Sequence, residues 1–160
     1  MMPCDVMRDG WRPTPVNGRM EGHTRSFLQI QNGGDHRCTF CILPFGRVPS
    51  RSTPLDEVIT DARQVVASGI AEIVQTGVVL TSWGQDLQGA PRLGGLVQAL
   101  LDGVPELARL RLSSLDCLEI DDDFLAALAQ EPRLMLHLHL SLQSGDDMIL
   151  KRMKRRHRRA

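Results

Sequence analysis

The sequence predicts an α/β fold, a partial, open TIM-type (β/α) barrel with about four β-α units present. Three observations carry this. Strand-like and helix-like runs alternate four times from residue 25 onward, the rhythm of right-handed β-α units on a parallel sheet. The later strand-like runs alternate apolar with polar residues, whereas a sheet covered by helices on both faces would be apolar almost throughout. No phosphate-binding glycine fingerprint follows the first strand, which argues against a dinucleotide-binding sheet.

The elements follow in order. Residues 1–22 hold three prolines, three glycines and no apolar period, so 1–24 reads as a linker or the remnant of a missing N-terminal domain. Residues 25–160 form the domain, truncated after its fourth strand. In the first strand, 27–31, Leu28 and Ile30 alternate with Gln29 and Gln31. A basic loop at 47–51 then opens the first helix. Thr53 is placed to cap it, Pro54 suits the first helical position, and Asp56 and Glu57 favour its positive end. Leu55, Val58, Ile59, Ala62, Val65 and Val66 make one apolar stripe, and Gly69 ends it. The second strand, 71–76, runs into a turn at Gly77. Leu93, Leu96, Val97, Leu100 and Leu101 mark a second helix, ended by Gly103 and Pro105, and 108–114 is the third strand. Residues 121–123 start a third helix through Phe124, Leu125 and Leu128. The fourth strand, 138–143, precedes Asp146 and Asp147, which start a helix with Ile149, Leu150 and Met153. On strands three and four the leucines should meet the helices. The intervening Arg109, Arg111, Ser113, His137, His139, Ser141 and Gln143 would line a concavity whose site lies at the strands' C-terminal ends.

The formal charge of zero is unevenly spread. Residues 151–160 hold seven of the 19 Lys and Arg and no acid, leaving a net of −7 on the first 150 residues. That basic run reads as a solvated helix end exposed by truncation. Two Trp, four Phe and no Tyr offer little base stacking, so composition alone does not indicate RNA binding. No apolar run could span a bilayer and no secretory h-region opens the chain, which places it in the cytoplasm with no membrane partner. Cys4, Cys38, Cys41 and Cys117 should then be reduced. Cys38 and Cys41, two residues apart, can hold a soft metal from one side, but two thiols rarely close a site. Asp35, His36 or Cys4 could complete a zinc knuckle. His137 and His139 share a strand face and read as hydrogen-bonded lining, with metal binding as the alternative. Cys117 reads as a small apolar filler.

Read as Gly34-x-x-x-Cys38-x-x-Cys41, the stretch after strand one resembles the C-x-x-x-C-x-x-C loop of radical S-adenosylmethionine (SAM) enzymes. Further segments extend the likeness: Pro49-Ser50-Arg51-Ser52, Thr76-Gly77-Val78-Val79-Leu80-Thr81-Ser82-Trp83-Gly84, Ser113-Ser114-Leu115-Asp116, His139-Leu140-Ser141-Leu142-Gln143-Ser144-Gly145 and Met153-Lys154-Arg155-Arg156-His157. Together they resemble the central radical SAM domain of the methylthiotransferases that modify tRNA, above all the threonylcarbamoyl-adenosine branch. The resemblance covers about residues 25–158. It implies a barrel of the radical SAM class, a 4Fe-4S cluster on three thiolates with one iron open to SAM, and a 5′-deoxyadenosyl radical that prepares a modified adenosine beside the anticodon for methylthiolation. Cys38 and Cys41 would be cluster ligands, Phe40 would lie near the adenine, and Thr76 and Gly77 near the SAM amino group. Ser114 and Gln143 would face the cofactor from later strands. The resemblance assigns no residue to proton or hydrogen transfer.

The chain departs from the family pattern at three points. Gly34 stands where the first cysteine belongs and cannot ligate iron. Val79 replaces a usual Asp or Asn. The later barrel strands, the N-terminal domain expected to bring the sulfur donor and second cluster, and the C-terminal RNA-binding barrel are absent. The implied activity is therefore expected to be impaired in this chain alone. The competing function class is a non-catalytic zinc-binding or RNA-interaction fragment.

Overall fold

The computed structural model describes residues 24–42 and 49–159. Residues 1–23 of the proposed linker, with Cys4, and residues 47–48 of the basic loop lie outside those residues. Strand β1 (Arg25–Gln29) pairs in parallel with β4 (Glu72–Thr76), which pairs in parallel with β5 (Arg109–Leu112). After Ser113 the chain continues as β6 (Ser114–Leu115), which pairs in parallel with β7 (His139–Leu140). The four units thus stand side by side in chain order, without the reversal that defines a doubly wound sheet. A short antiparallel pair, β2 (Gln31–Asn32) with β3 (Arg51–Ser52), clips the loop after β1 to the start of the first helix.

Helices α1 (Leu55–Ala67), α2 (Leu93–Gly103) and α3 (Asp122–Gln130) connect the units, and α4 (Asp147–Arg152) follows β7. The predicted stripe of α1 is met: Val58, Ala62 and Val65 are buried, with Leu55, Ile59 and Val66 packed against the core. Gly69 ends it at φ +89°, a backbone conformation glycine adopts without strain. The cap is different from the one predicted. Pro54 is the N-cap and no side chain caps the helix. Thr53 is held in extended chain instead, donating its amide to the Ile30 carbonyl at 2.8 Å and accepting from the Trp83 indole at 2.8 Å. In α3 the prediction holds, because Asp121 Oδ1 accepts from the Phe124 amide at 2.9 Å. Asp146 caps α4 in the same way through Ile149.

The alternation of β5 works as predicted. Leu110 and Leu112 are buried against the helices, while Arg109 and Arg111 face the concave side. There they meet Glu72, whose carboxylate accepts from Arg109 Nε at 2.9 Å and Arg111 Nε at 3.0 Å. Burial alone would raise the Glu72 carboxyl, but the hydrogen bonds from both guanidinium groups outweigh it and hold the group below its usual value of 4.5. Such a group stabilises the fold fully above the unfolded value, and this contribution is lost as pH falls through the lower folded value. Glu72→Gln is expected to lower stability by about 1–2 kcal/mol at neutral pH, with the difference from the parent shrinking below pH 4 in acid-unfolding curves. The figure stays below that for a fully buried pair because Arg109 and Arg111 are 46% and 32% exposed.

The fourth strand is shorter than 138–143. It keeps only His139–Leu140, because β6 is two residues long and Gln143, at φ +65°, turns the chain out of extended geometry. Leu138 packs against the core as expected, but Leu140 and Leu142 are exposed. Helix α4 does not cover them. Its C-terminal end instead meets the cysteine loop, where the Thr39 amide donates to the Met153 carbonyl at 3.2 Å.

Candidate functional site

Gln31 organises the site from below. It is fully buried, although the strand pattern placed it on a polar face. Its Nε2 donates toward the carbonyls of Asn32 and Gly33, each at 3.0 Å, and toward Ser50 Oγ at 2.8 Å. Its Oε1 accepts from the Val79 amide at 2.9 Å. One side chain therefore fixes both the start of the cysteine loop and the turn after β4. Gly77 is explained by the same residue, since a Cβ there would lie 2.9 Å from Gln31 Oε1 and 3.2 Å from Gln31 Cβ. Gln31→Leu should leave the Val79 amide and two carbonyls unpaired, lowering stability by about 2 kcal/mol in urea unfolding.

Above Gln31 a cavity of about 160 Å³ opens at the C-terminal ends of the strands. Gly34, Cys38, Phe40 and Cys41 line one side, Val78 and Val79 another, and Ser114, Asp116, Ser141, Gln143 and Arg155 close the rest. Of the residues singled out from sequence, Cys38, Cys41, Phe40, Ser114 and Gln143 are thus brought together. Thr76 and Gly77 lie at the strand end just beneath, and their neighbours Val78 and Val79 form the wall.

The cysteine loop is held by its own turn and by α4. The Cys41 amide donates to the Cys38 carbonyl at 3.1 Å, and Thr39 Oγ1 donates to the Arg152 carbonyl at 3.3 Å. Both thiols are free and half-buried. Burial and the Arg156 guanidinium beside it push His36 below its usual value, so its ring is neutral at neutral pH. Arg156 Nη2 lies 2.6 Å from His36 Nε2. On the far wall Ser114 Oγ lies 3.0 Å from His139 Nδ1, so His139 is hydrogen-bonded lining.

Arg155 corrects the reading of the basic run as a solvated end. Its side chain is 8% exposed. Nη2 donates to Asp116 Oδ2 at 2.8 Å and to the Ser141 carbonyl at 3.1 Å, and Nη1 reaches Cys38 Sγ at 3.8 Å. A burial of this kind is not visible in a run of charges. The one available signal was that the run belongs to the segment Met153-Lys154-Arg155-Arg156-His157, which resembles a family motif.

The described donor set does not fit a cluster held by three cysteines. Two thiols face the cavity, and the third position is Gly34. Among the described residues there is space for a side chain there: a Cβ on Gly34 would meet Val79 Cγ2 at 3.4 Å and Val78 Cγ1 at 3.8 Å.

A half-barrel of parallel strands in sequential order, with a cysteine loop over their C-terminal ends, defines an α/β-barrel protein with two free thiols on its strand-end cavity. The family model for the radical SAM superfamily matches residues 28–160, and the chain belongs to that superfamily. It is 51% identical over 140 residues to the threonylcarbamoyladenosine tRNA methylthiotransferase MtaB of Rickettsia prowazekii, covering 88% of this chain and 33% of that protein. It is 42% identical over 128 residues to the tRNA-2-methylthio-N(6)-dimethylallyladenosine synthase of Roseiflexus sp., covering 80% of this chain and 27% of the relative. The chain therefore spans about a third of the length of the curated relatives it matches. Among solved structures, the fold is similar to the radical S-adenosylmethionine methyltransferase TsrM from Kitasatospora setae, with a TM-score of 0.50 and 21% identity over 64% of this chain and 20% of that one. No helix among the described residues is long and apolar enough to cross a membrane.

Proposed function

We propose that this chain derives from the SAM-binding barrel of a tRNA methylthiotransferase of the threonylcarbamoyl-adenosine type, and that glycine at position 34 leaves its cluster site one thiolate short. The observation that carries this reading is the convergence of Gly34, Cys38, Cys41, Phe40, Ser114 and Gln143 on one cavity, at the barrel end where such a fold places chemistry. The similarity to relatives named as tRNA methylthiotransferases supports the substrate class. A bound 4Fe-4S cluster would supply an open iron and an electron for SAM, but two thiolates do not complete its ligand set. In this reading Cys38 and Cys41 are its ligands, Phe40 packs on the adenine, and the turn after Thr76-Gly77 presents backbone to the amino acid part of SAM. Ser114 and Gln143 offer polar contacts from the opposite wall. The radical SAM unit is residues 25–160, in the cytoplasm. The sulfur donor and second cluster belong to a domain outside this unit.

The test is anaerobic reconstitution with iron and sulfide of the parent chain and of Gly34→Cys, followed by electron paramagnetic resonance with and without SAM. The reading expects a reduced-state signal that responds to SAM in Gly34→Cys. A chain that instead keeps zinc on Cys38 and Cys41 in air, and whose Gly34→Cys variant gives no SAM-responsive signal, would be a zinc-binding module.

A further inference from the structure

We propose that Asp116, Cys117 and His157 form a binding site for a zinc-type divalent cation, separate from the Cys38 and Cys41 pair. Among the described residues, these three form a group whose ligand atoms all lie within 4.8 Å of one another. They come from two stretches of the chain. Asp116 and Cys117 follow β6, where a 3-10 turn, Cys117–Glu119, begins under the Asp116 cap. His157 lies beyond α4 and is 6% exposed.

The imidazole supplies the second, independent observation. His157 Nε2 lies 3.0 Å from the Leu142 carbonyl, which can only accept, so Nε2 carries the proton. In the neutral ring Nδ1 then holds a lone pair, and that atom is buried without a hydrogen-bond partner. A buried acceptor left unmatched is unfavourable. A ring oriented by a backbone carbonyl through one nitrogen, with the other nitrogen open, is how metal-binding histidines are commonly held.

A thiolate, an imidazole and a carboxylate make a donor set that suits zinc rather than calcium or magnesium. Tetrahedral zinc, with bonds of about 2.0–2.3 Å, separates its ligand atoms by roughly 3.3–3.8 Å, so side-chain movements of about 1 Å close the site. On binding, Cys117 releases its proton to solvent. Asp116 can keep its bond to Arg155, because a carboxylate has more lone pairs than that bond uses. With three protein ligands, the fourth position falls to water. The cation would tie the segment after α4 to the loop after β6. Asp116 and Arg155 wall the main cavity from those two segments, so the site would brace that wall.

The test uses the full chain carrying Cys4→Ser, Cys38→Ser and Cys41→Ser, in which Cys117 is the remaining thiol of four. Cobalt(II), added anaerobically, serves as the probe. One equivalent should give a thiolate-to-cobalt charge-transfer band with tetrahedral visible bands, and zinc should displace it. Cys117→Ser should abolish the charge-transfer band, and His157→Gln should weaken cobalt binding by about 10-fold or more. No band in the triple variant, or unchanged affinity in His157→Gln, overturns the site. Because His157 is buried, melting provides a check that does not depend on that variant folding. Zinc should raise the Tm of the triple variant and not that of its Cys117→Ser derivative, and equal rises in the two would overturn the proposal.

Discussion

Gly34→Cys is expected to raise iron bound after anaerobic reconstitution from less than one to about four atoms per chain, with matching sulfide. The structure supplies the steric half of this expectation. The left-handed backbone conformation of the loop falls on Gly33, at φ +72°, where the Asn32 side chain accepts the amide at 2.8 Å. Gly34 itself is not in that region, so a side chain adds no backbone strain. Its Cβ would enter ordinary contact with Val78 and Val79, on the cavity that Cys38 and Cys41 already line. The chemical half is ligand count. Two thiolates leave two irons of a cubane without protein ligands, whereas three leave a single open iron. The measurement is iron and sulfide per chain for the parent, Gly34→Cys and Gly34→Ser. If the parent already binds about four irons, another group replaces the missing thiolate and the explanation by position 34 fails. Gly34→Ser separates the effect of the sulfur from that of filling the space, and it should behave like the parent.

The architecture was legible because its signals are local and periodic. The stripe of α1, the Asp121 cap of α3 and the alternation of Leu110 and Leu112 with arginines each depend on a few neighbouring residues. What the sequence did not show depends on partners distant in the chain. Thr53 has good capping chemistry, but its backbone is claimed by Ile30 and by Trp83, 30 residues away. Gln31 matches the polar phase of a strand, yet it is buried, and two of its hydrogen-bond partners, Ser50 and Val79, lie 19 and 48 residues away. The fourth strand has the right pattern, but strand length is set by pairing, and β6 offers only two residues. At the site, the cysteine pair and the strand-end positions that line one cavity could be picked out from the sequence. Arg155, buried in a run of charges, was not, and neither was the meeting of Cys117 with His157, 40 positions apart.

The second large effect concerns two adjacent glycines in the first turn of α2, for which the same substitution should act in opposite directions. Gly94 is buried where α2 crosses the start of α3. Its amide donates to Asp121 Oδ2 at 3.1 Å, and a Cβ on it would collide with Asp121 Oδ1, the Phe124 amide and the Asp123 backbone. Two of those three are main-chain atoms of a capped helix end, which cannot rotate away as a long side chain can. Gly94→Ala must therefore push α3 off α2 and strain the Asp121 cap, and it is expected to lower stability by about 4 kcal/mol, a Tm loss of roughly 10–15 °C. Gly95 is exposed, and none of the described residues lies within 4 Å of a Cβ built on it. Gly95→Ala removes only the unfolded-chain freedom of glycine from a helix and should raise stability by about 0.5–1 kcal/mol. Thermal melts of the two variants beside the parent check both signs. Equal and small changes at the two positions would mean that α2 and α3 do not cross at Gly94 and that the Asp121 cap does not bridge them, and the packing of the third β-α unit would have to be redrawn.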